Sequence, residues 1–232
     1  MRRLRRWAPV ALIVALLAGS NVVSNRLLAD ALYVPWNLVI AGSVLLIGLR
    51  MDRRRPTELG LSRDRLARGV QVGAVVVGLT VAVYLAAAAI PATRDLFDDS
   101  RVEGMSLPGV FYRALVRVPL GTVVLEEVAF RGVLPAVLTA RIGVRAAVGW
   151  SAGLFGLWHV LPSTDLGDRN PVLDDVFGDA SVVLVVALAV AGTAAAGLVL
   201  WWLRHRSGSL AAPALAHWST NGLGYLLAYL IG

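Results

Sequence analysis

Residues 70–90 read VQVGAVVVGLTVAVYLAAAAI, and this stretch decides the fold class. It runs for 21 residues without a charge and stops at Pro91. A helix rises about 1.5 Å per residue, so a run of this length covers the roughly 30 Å hydrocarbon core of a bilayer. Blocks of similar character lie at 7–23, 34–49, 146–161, 181–203 and 210–231. One more segment, 108–140, is apolar overall but carries Arg113, Arg117, Glu126, Glu127 and Arg131. Pro119 and Gly121 predict a kink there, or a break into two helices. The expected fold is all-α: a polytopic transmembrane helical bundle of about seven spans, with six to eight the range set by how 108–140 crosses.

The composition agrees with membrane crossings. Hydrophobic residues make up 57% of the 232, against about 45–50% in soluble domains. No stretch is long enough for a separate soluble domain. Residues 1–6 followed by an apolar run have the outline of a signal peptide, but no small-residue cleavage site precedes a polar mature chain, so the run reads as a first, retained helix. The run AVAGTAAAGLVL (189–200) offers small residues for close helix packing. The chain has no cysteine, which excludes disulfides, a thiol nucleophile and a thiolate metal site.

The formal charge is +7, and all 22 basic residues are arginine. They sit beside apolar segments, as anchors facing anionic lipid do, and not in a nucleic-acid-binding patch. Placing the N-terminus in the cytoplasm makes 1–7, 50–68, 141–145 and 204–206 cytoplasmic, and these pieces hold 15 of the 22 arginines. Asp95, Asp98, Asp99, Glu103, Asp165, Asp168, Asp174, Asp175 and Asp179 then face outward. This asymmetry predicts a multi-pass plasma-membrane protein with an extracytoplasmic C-terminus. Residues 57–68, with Leu59, Leu61 and Leu66 among charges, have the composition of a short interfacial helix.

Charges inside a bilayer are costly and mark function. Arg131 lies four residues after Glu127, on the same helical face. Glu126 points about 100° away and has no obvious local partner. His159 ends FGLWH. His217 and Asn221 share a face one turn apart in HWSTN, and His205 lies between two arginines as a surface residue. Three helices thus offer polar groups to one interior. Two imidazoles, a carboxylate and an amide oxygen suit Zn²⁺ or another divalent ion. They also suit metal-free hydrolysis, in which Glu126 and a histidine hold the water and His217 with Asn221 stabilises the oxyanion. No HExxH motif is present, and nothing implies an organic cofactor. A self-satisfied ionic knot, a proton relay or transporter, and a non-catalytic immunity or scaffold protein stay open on the residues alone.

EEVAFR (Glu126, Glu127, Arg131) resembles the EExxxR motif of the CPBP intramembrane proteases, the family of CAAX prenyl endopeptidases and bacteriocin-processing proteins also called Abi. FGLWH matches its FxxxH motif through Phe155 and His159, and HWSTN its HxxxN motif through His217 and Asn221. The resemblance implies a membrane-embedded metalloprotease domain over 50–232, with motifs at 126–131, 155–159 and 217–221, preceded by two variable spans in 1–49. It implies Glu126 as the water-activating glutamate and Glu127 as its neighbour, oriented through Arg131. His159, His217 and Asn221 complete the site as metal ligands with Glu126 or as an oxyanion hole, and Phe155 supports it. The implied partners are membrane lipids and a peptide or lipidated protein substrate, with no nucleic acid.

Overall fold

The computed structural model describes residues 2–164 and 182–231. The acidic loop expected at 162–180 lies, from residue 165 on, outside them. Helix α1 (Arg2–Val22) runs on through a wider turn, Val23–Leu27. Helix α2 (Tyr33–Leu46) does the same through Ile47–Met51. Helix α3 is Leu66–Ala89. Helix α4 is continuous over residues 107–142, followed by α5 (Val144–Trp158), α6 (Val182–Ser207) and α7 (Ala211–Ile231).

Four helical stretches are long and apolar enough to cross a membrane: Arg6–Leu27, Asp30–Met51, Arg63–Ala89 and Val182–Ser207. The chain is a multi-pass helical membrane protein. Along α3 and α6 large apolar side chains point outward, among them Val75, Leu79, Val83, Val183 and Leu188. Such side chains would be penalised in water and are solvated by lipid tails. The core lies where α1, α2 and α5 close around α4. Ile13, Leu17, Ile40, Val44, Leu125 and Val133 are buried there.

Helix α4 does not break at Pro119. It widens to π-helical turns over Arg113–Val123 and again over Val128–Val133, with the α-helical turn Val124–Glu127 between them. A proline in an α-helix crowds the carbonyl one turn back and leaves it without a donor. In a wider turn the chain passes that residue without stopping. Gly121 serves packing: a Cβ there would come within 2.8 Å of the Tyr33 ring.

Of the short interfacial helix expected over 57–68, residues 57–60 form a turn, Arg63–Arg65 a 3-10 turn, and 66–68 begin α3. Gly60 takes a positive φ of 77°. Leu59 is fully buried, and Leu61 forms an antiparallel bridge with Ser209. The Leu210 N–H donates to the Gly60 carbonyl at 2.9 Å, and Arg204 donates to the Glu58 carbonyl. At the same end of the bundle Arg141 pairs with Asp52 and donates to the Arg6 carbonyl, while Arg6 donates to the Ala140 carbonyl at 3.0 Å. The four arginine-rich pieces of the chain therefore meet at one end.

Candidate active site

The α-helical turn of α4 carries Glu126 and Glu127, with Arg131 one turn on, and all three are buried. Helix α7 faces them with His217, which is also buried. The imidazole reaches both glutamates. Its Nδ1 lies 2.8 Å from Glu127 Oε1, and its Nε2 lies 3.6 Å from Glu126 Oε2. A carboxylate only accepts, so Nδ1 donates to Glu127, and Nε2 faces Glu126.

Arg131 Nη1 lies 3.2 Å from the same Glu127 oxygen. Its N–H groups are not aligned for a hydrogen bond: among the described residues none of its three nitrogens has a hydrogen-bond partner. The pair is held by charge proximity, and the guanidinium lies 3.8 Å from the centre of the Phe155 ring as a cation–π contact.

Glu126 divides its two oxygens. Oε1 accepts from the Trp158 indole N–H at 2.9 Å. Oε2 is buried without a hydrogen-bond partner among the described residues and opposes only His217.

Phe155 is the hub of the aromatic packing. Its ring centre lies 5.3 Å from that of Phe130, 4.7 Å from that of His159 and 6.1 Å from that of His217. His159 follows the last turn of α5 and is half-buried. Its Nδ1 donates to the Phe155 carbonyl at 2.8 Å. Asn221 is exposed, one turn beyond His217; its hydrogen bond among the described residues is a long one, from Thr220 at 3.4 Å. His205 is exposed and stacks on Trp201. The structure thus joins Glu126, Glu127, Arg131, Phe155 and His217 directly. His159 attaches through Phe155, and Asn221 is exposed, with no bond to the others among the described residues.

Two residues of this network escaped the sequence reading. Trp158 had been counted into an apolar run, although an indole inside a membrane helix has an N–H to satisfy. Asn21, in α1, donates to the Trp158 carbonyl at 3.0 Å. Close by in sequence, Trp36 donates to Ser20 at 3.0 Å and Ser24 to Asn37 at 3.1 Å. Amides within an apolar span were the available signal. Trp158, Asn21, Phe130 and Leu17 also line a cavity of about 280 Å³ between α1, α4 and α5.

Among the described residues no three His, Asp or Glu side chains converge to hold an ion. Glu126 Oε2 and His217 Nε2 offer two donors, where a catalytic zinc takes three protein ligands. Among the described residues the set falls one ligand short of such a site. What it suits is taking a proton from water: a carboxylate oxygen with open lone pairs faces an imidazole fixed by a second carboxylate, and a buried guanidinium balances the charge.

A family model described as Type II CAAX prenyl endopeptidase Rce1-like matches residues 108–223, half of the chain. No curated protein and no solved structure matches the chain.

Proposed function

We propose an activity for this chain from one premise: it belongs to the Type II CAAX prenyl endopeptidase Rce1-like family. The activity is endoproteolysis in the membrane, acting on a peptide bond of a membrane-associated or lipidated peptide or protein. The observation that supports it best is the opposition of Glu126 Oε2 and His217 Nε2 at 3.6 Å, both residues buried and Oε2 without a hydrogen-bond partner among the described residues, open to take one from a water.

Glu126 Oε2 takes a proton from that water while the oxygen bonds to the substrate carbonyl carbon. The proton then passes from Glu126 to the leaving nitrogen as the C–N bond breaks. Glu127 keeps the His217 proton on Nδ1, so that Nε2 steadies the water. Arg131 offsets the second carboxylate. His159 borders the site through its ring contact with Phe155, and the exposed Asn221 donates its amide N–H to the developing oxyanion. Assays with a chelator and with added Zn²⁺ measure whether an ion joins Glu126 and His217.

In this reading α4, α5 and α7 cross together with the four apolar helices. The arginine-rich end of the bundle faces the cytoplasm and its anionic lipids. The test is a purified protein in liposomes offered matched lipidated and unlipidated fluorogenic peptides. Cleavage by the wild-type protein, lost in Glu126→Gln with thermal unfolding unchanged, is the expected result. A cellular phenotype that survives Glu126→Gln, with no cleavage of either peptide class, would establish a scaffold or immunity role instead.

A further inference from the structure

Trp158 stands where two contacts meet. Its indole N–H donates to Glu126 Oε1 at 2.9 Å, and its main-chain carbonyl accepts from Asn21 Nδ2 at 3.0 Å. The second contact has a local cause. A helix carbonyl is satisfied by the N–H four residues on, and here that residue is Pro162, which has none. Asn21, nearly buried at 8% exposure, reaches across from α1 to fill the place. The ring is fixed as well: it meets Phe130 edge-on, with centres 5.8 Å apart.

The consequence falls on Glu126. Its two oxygens are equivalent until something distinguishes them. The indole claims Oε1 and so turns Oε2, which has no hydrogen bond of its own, toward His217 Nε2. Without that donor the carboxylate rotates freely about its terminal bond. Either oxygen, or neither, then meets the water. We propose that Trp158 is a positioning residue for Glu126 and that α1 holds it in place through Asn21. This deepens the hydrolytic reading and rests on it for its kinetic arm only. It also gives a working part to α1, which lies outside the segment that the family model matches.

The test pairs a spectroscopic with a kinetic measurement on the full chain in nanodiscs. The protein has seven tryptophans, and ¹⁵N-indole labelling gives each its own N–H resonance. The resonance lost in Trp158→Phe is expected to move in Glu126→Gln, and to move or broaden in Asn21→Ala, while the other six hold still. If Trp158→Phe does not fold, a single indole that answers to both Glu126→Gln and Asn21→Ala carries the same information. In peptide cleavage Trp158→Phe is expected to lower kcat about 10- to 100-fold with KM within about twofold, since one hydrogen bond to a charged group is lost and no substrate contact is. A chain that cuts no peptide but shows the indole response overturns the protease reading and leaves the Trp158–Glu126 coupling standing. A chain that cuts peptides with kcat unchanged in Trp158→Phe, or in which no indole answers to Glu126→Gln, overturns the positioning role alone.

Discussion

Replacing each of the two adjacent glutamates by glutamine separates a base from a counter-ion. Glu127 Oε1 is shared by Arg131 at 3.2 Å and His217 at 2.8 Å. Arg131 is 1% exposed and makes no hydrogen bond among the described residues, so Glu127 supplies most of what holds its charge. Removing one partner of a buried ion pair costs about 3–5 kcal/mol. Glu126 remains nearby as a second anion and partly compensates, which places Glu127→Gln near the low end, at about 3 kcal/mol. For a chain of this size that corresponds to a fall in Tm of roughly 6–12 °C. Glu126→Gln keeps an amide oxygen for Trp158 and strips no cation of its partner, so its stability stays within about 1 kcal/mol of the wild type. Its turnover falls by about 10²–10⁴, the usual worth of a general base. Both variants are compared by peptide cleavage in liposomes and by thermal unfolding in detergent. Near-normal turnover in Glu126→Gln, beside inactivity without destabilisation in Glu127→Gln, would refute the assignment and exchange the two roles.

Three further outcomes follow from the packing and the charge pattern. Phe155→Ala removes the ring that Arg131, His159 and His217 share, and should destabilise by about 3–5 kcal/mol and abolish activity; Phe155→Leu should keep most of the stability, as thermal unfolding will show. Gly156→Ala places a Cβ 2.6 Å from the Val190 carbonyl oxygen of α6, whereas Gly153→Ala meets nothing within 4 Å. The first should pry α5 from α6 and displace His159, with a lower Tm and loss of cleavage, while the second stays folded and active. Reporter fusions at Ser207 should report the cytoplasm and fusions at Ser100 the outside; the opposite pattern would mean that the arginine-rich end faces outward.

Residues 70–90 foretold α3 well, because composition alone decides whether a long apolar run is solvated by lipid; the helix found is Leu66–Ala89. Pro119 left a kink and a break both open, because whether a helix breaks or widens at a proline depends on its neighbours; the break does not occur, α4 runs on through wider turns, and Tyr33 packs against Gly121. Leu59, Leu61 and Leu66 among charges had the composition of an interfacial helix, yet Leu59 is buried in the core beside residues of α1, α2 and α4, and Leu61 bridges to Ser209, tertiary contacts that no local period encodes. In the site, the pairing of Glu127 with Arg131 was legible as a four-residue spacing. That one imidazole serves both glutamates was not, since it depends on how α7 leans on α4. Trp158 was hidden by its chemistry: counted as apolar, it acts through its single N–H.

The charges of α4 also bear on how the protein is made. Each charged residue near the middle of an inserting helix costs about 2.5–3.5 kcal/mol. Alone in lipid, α4 would present Glu126, Glu127 and Arg131 at once. The imidazole that meets both carboxylates lies 90 residues beyond Glu127 in the chain. At about 5–20 residues per second the ribosome needs roughly 5–20 s to deliver it. Where α4 crosses as proposed, its charges would need shelter from lipid over that interval, until α7 brings His217 to them.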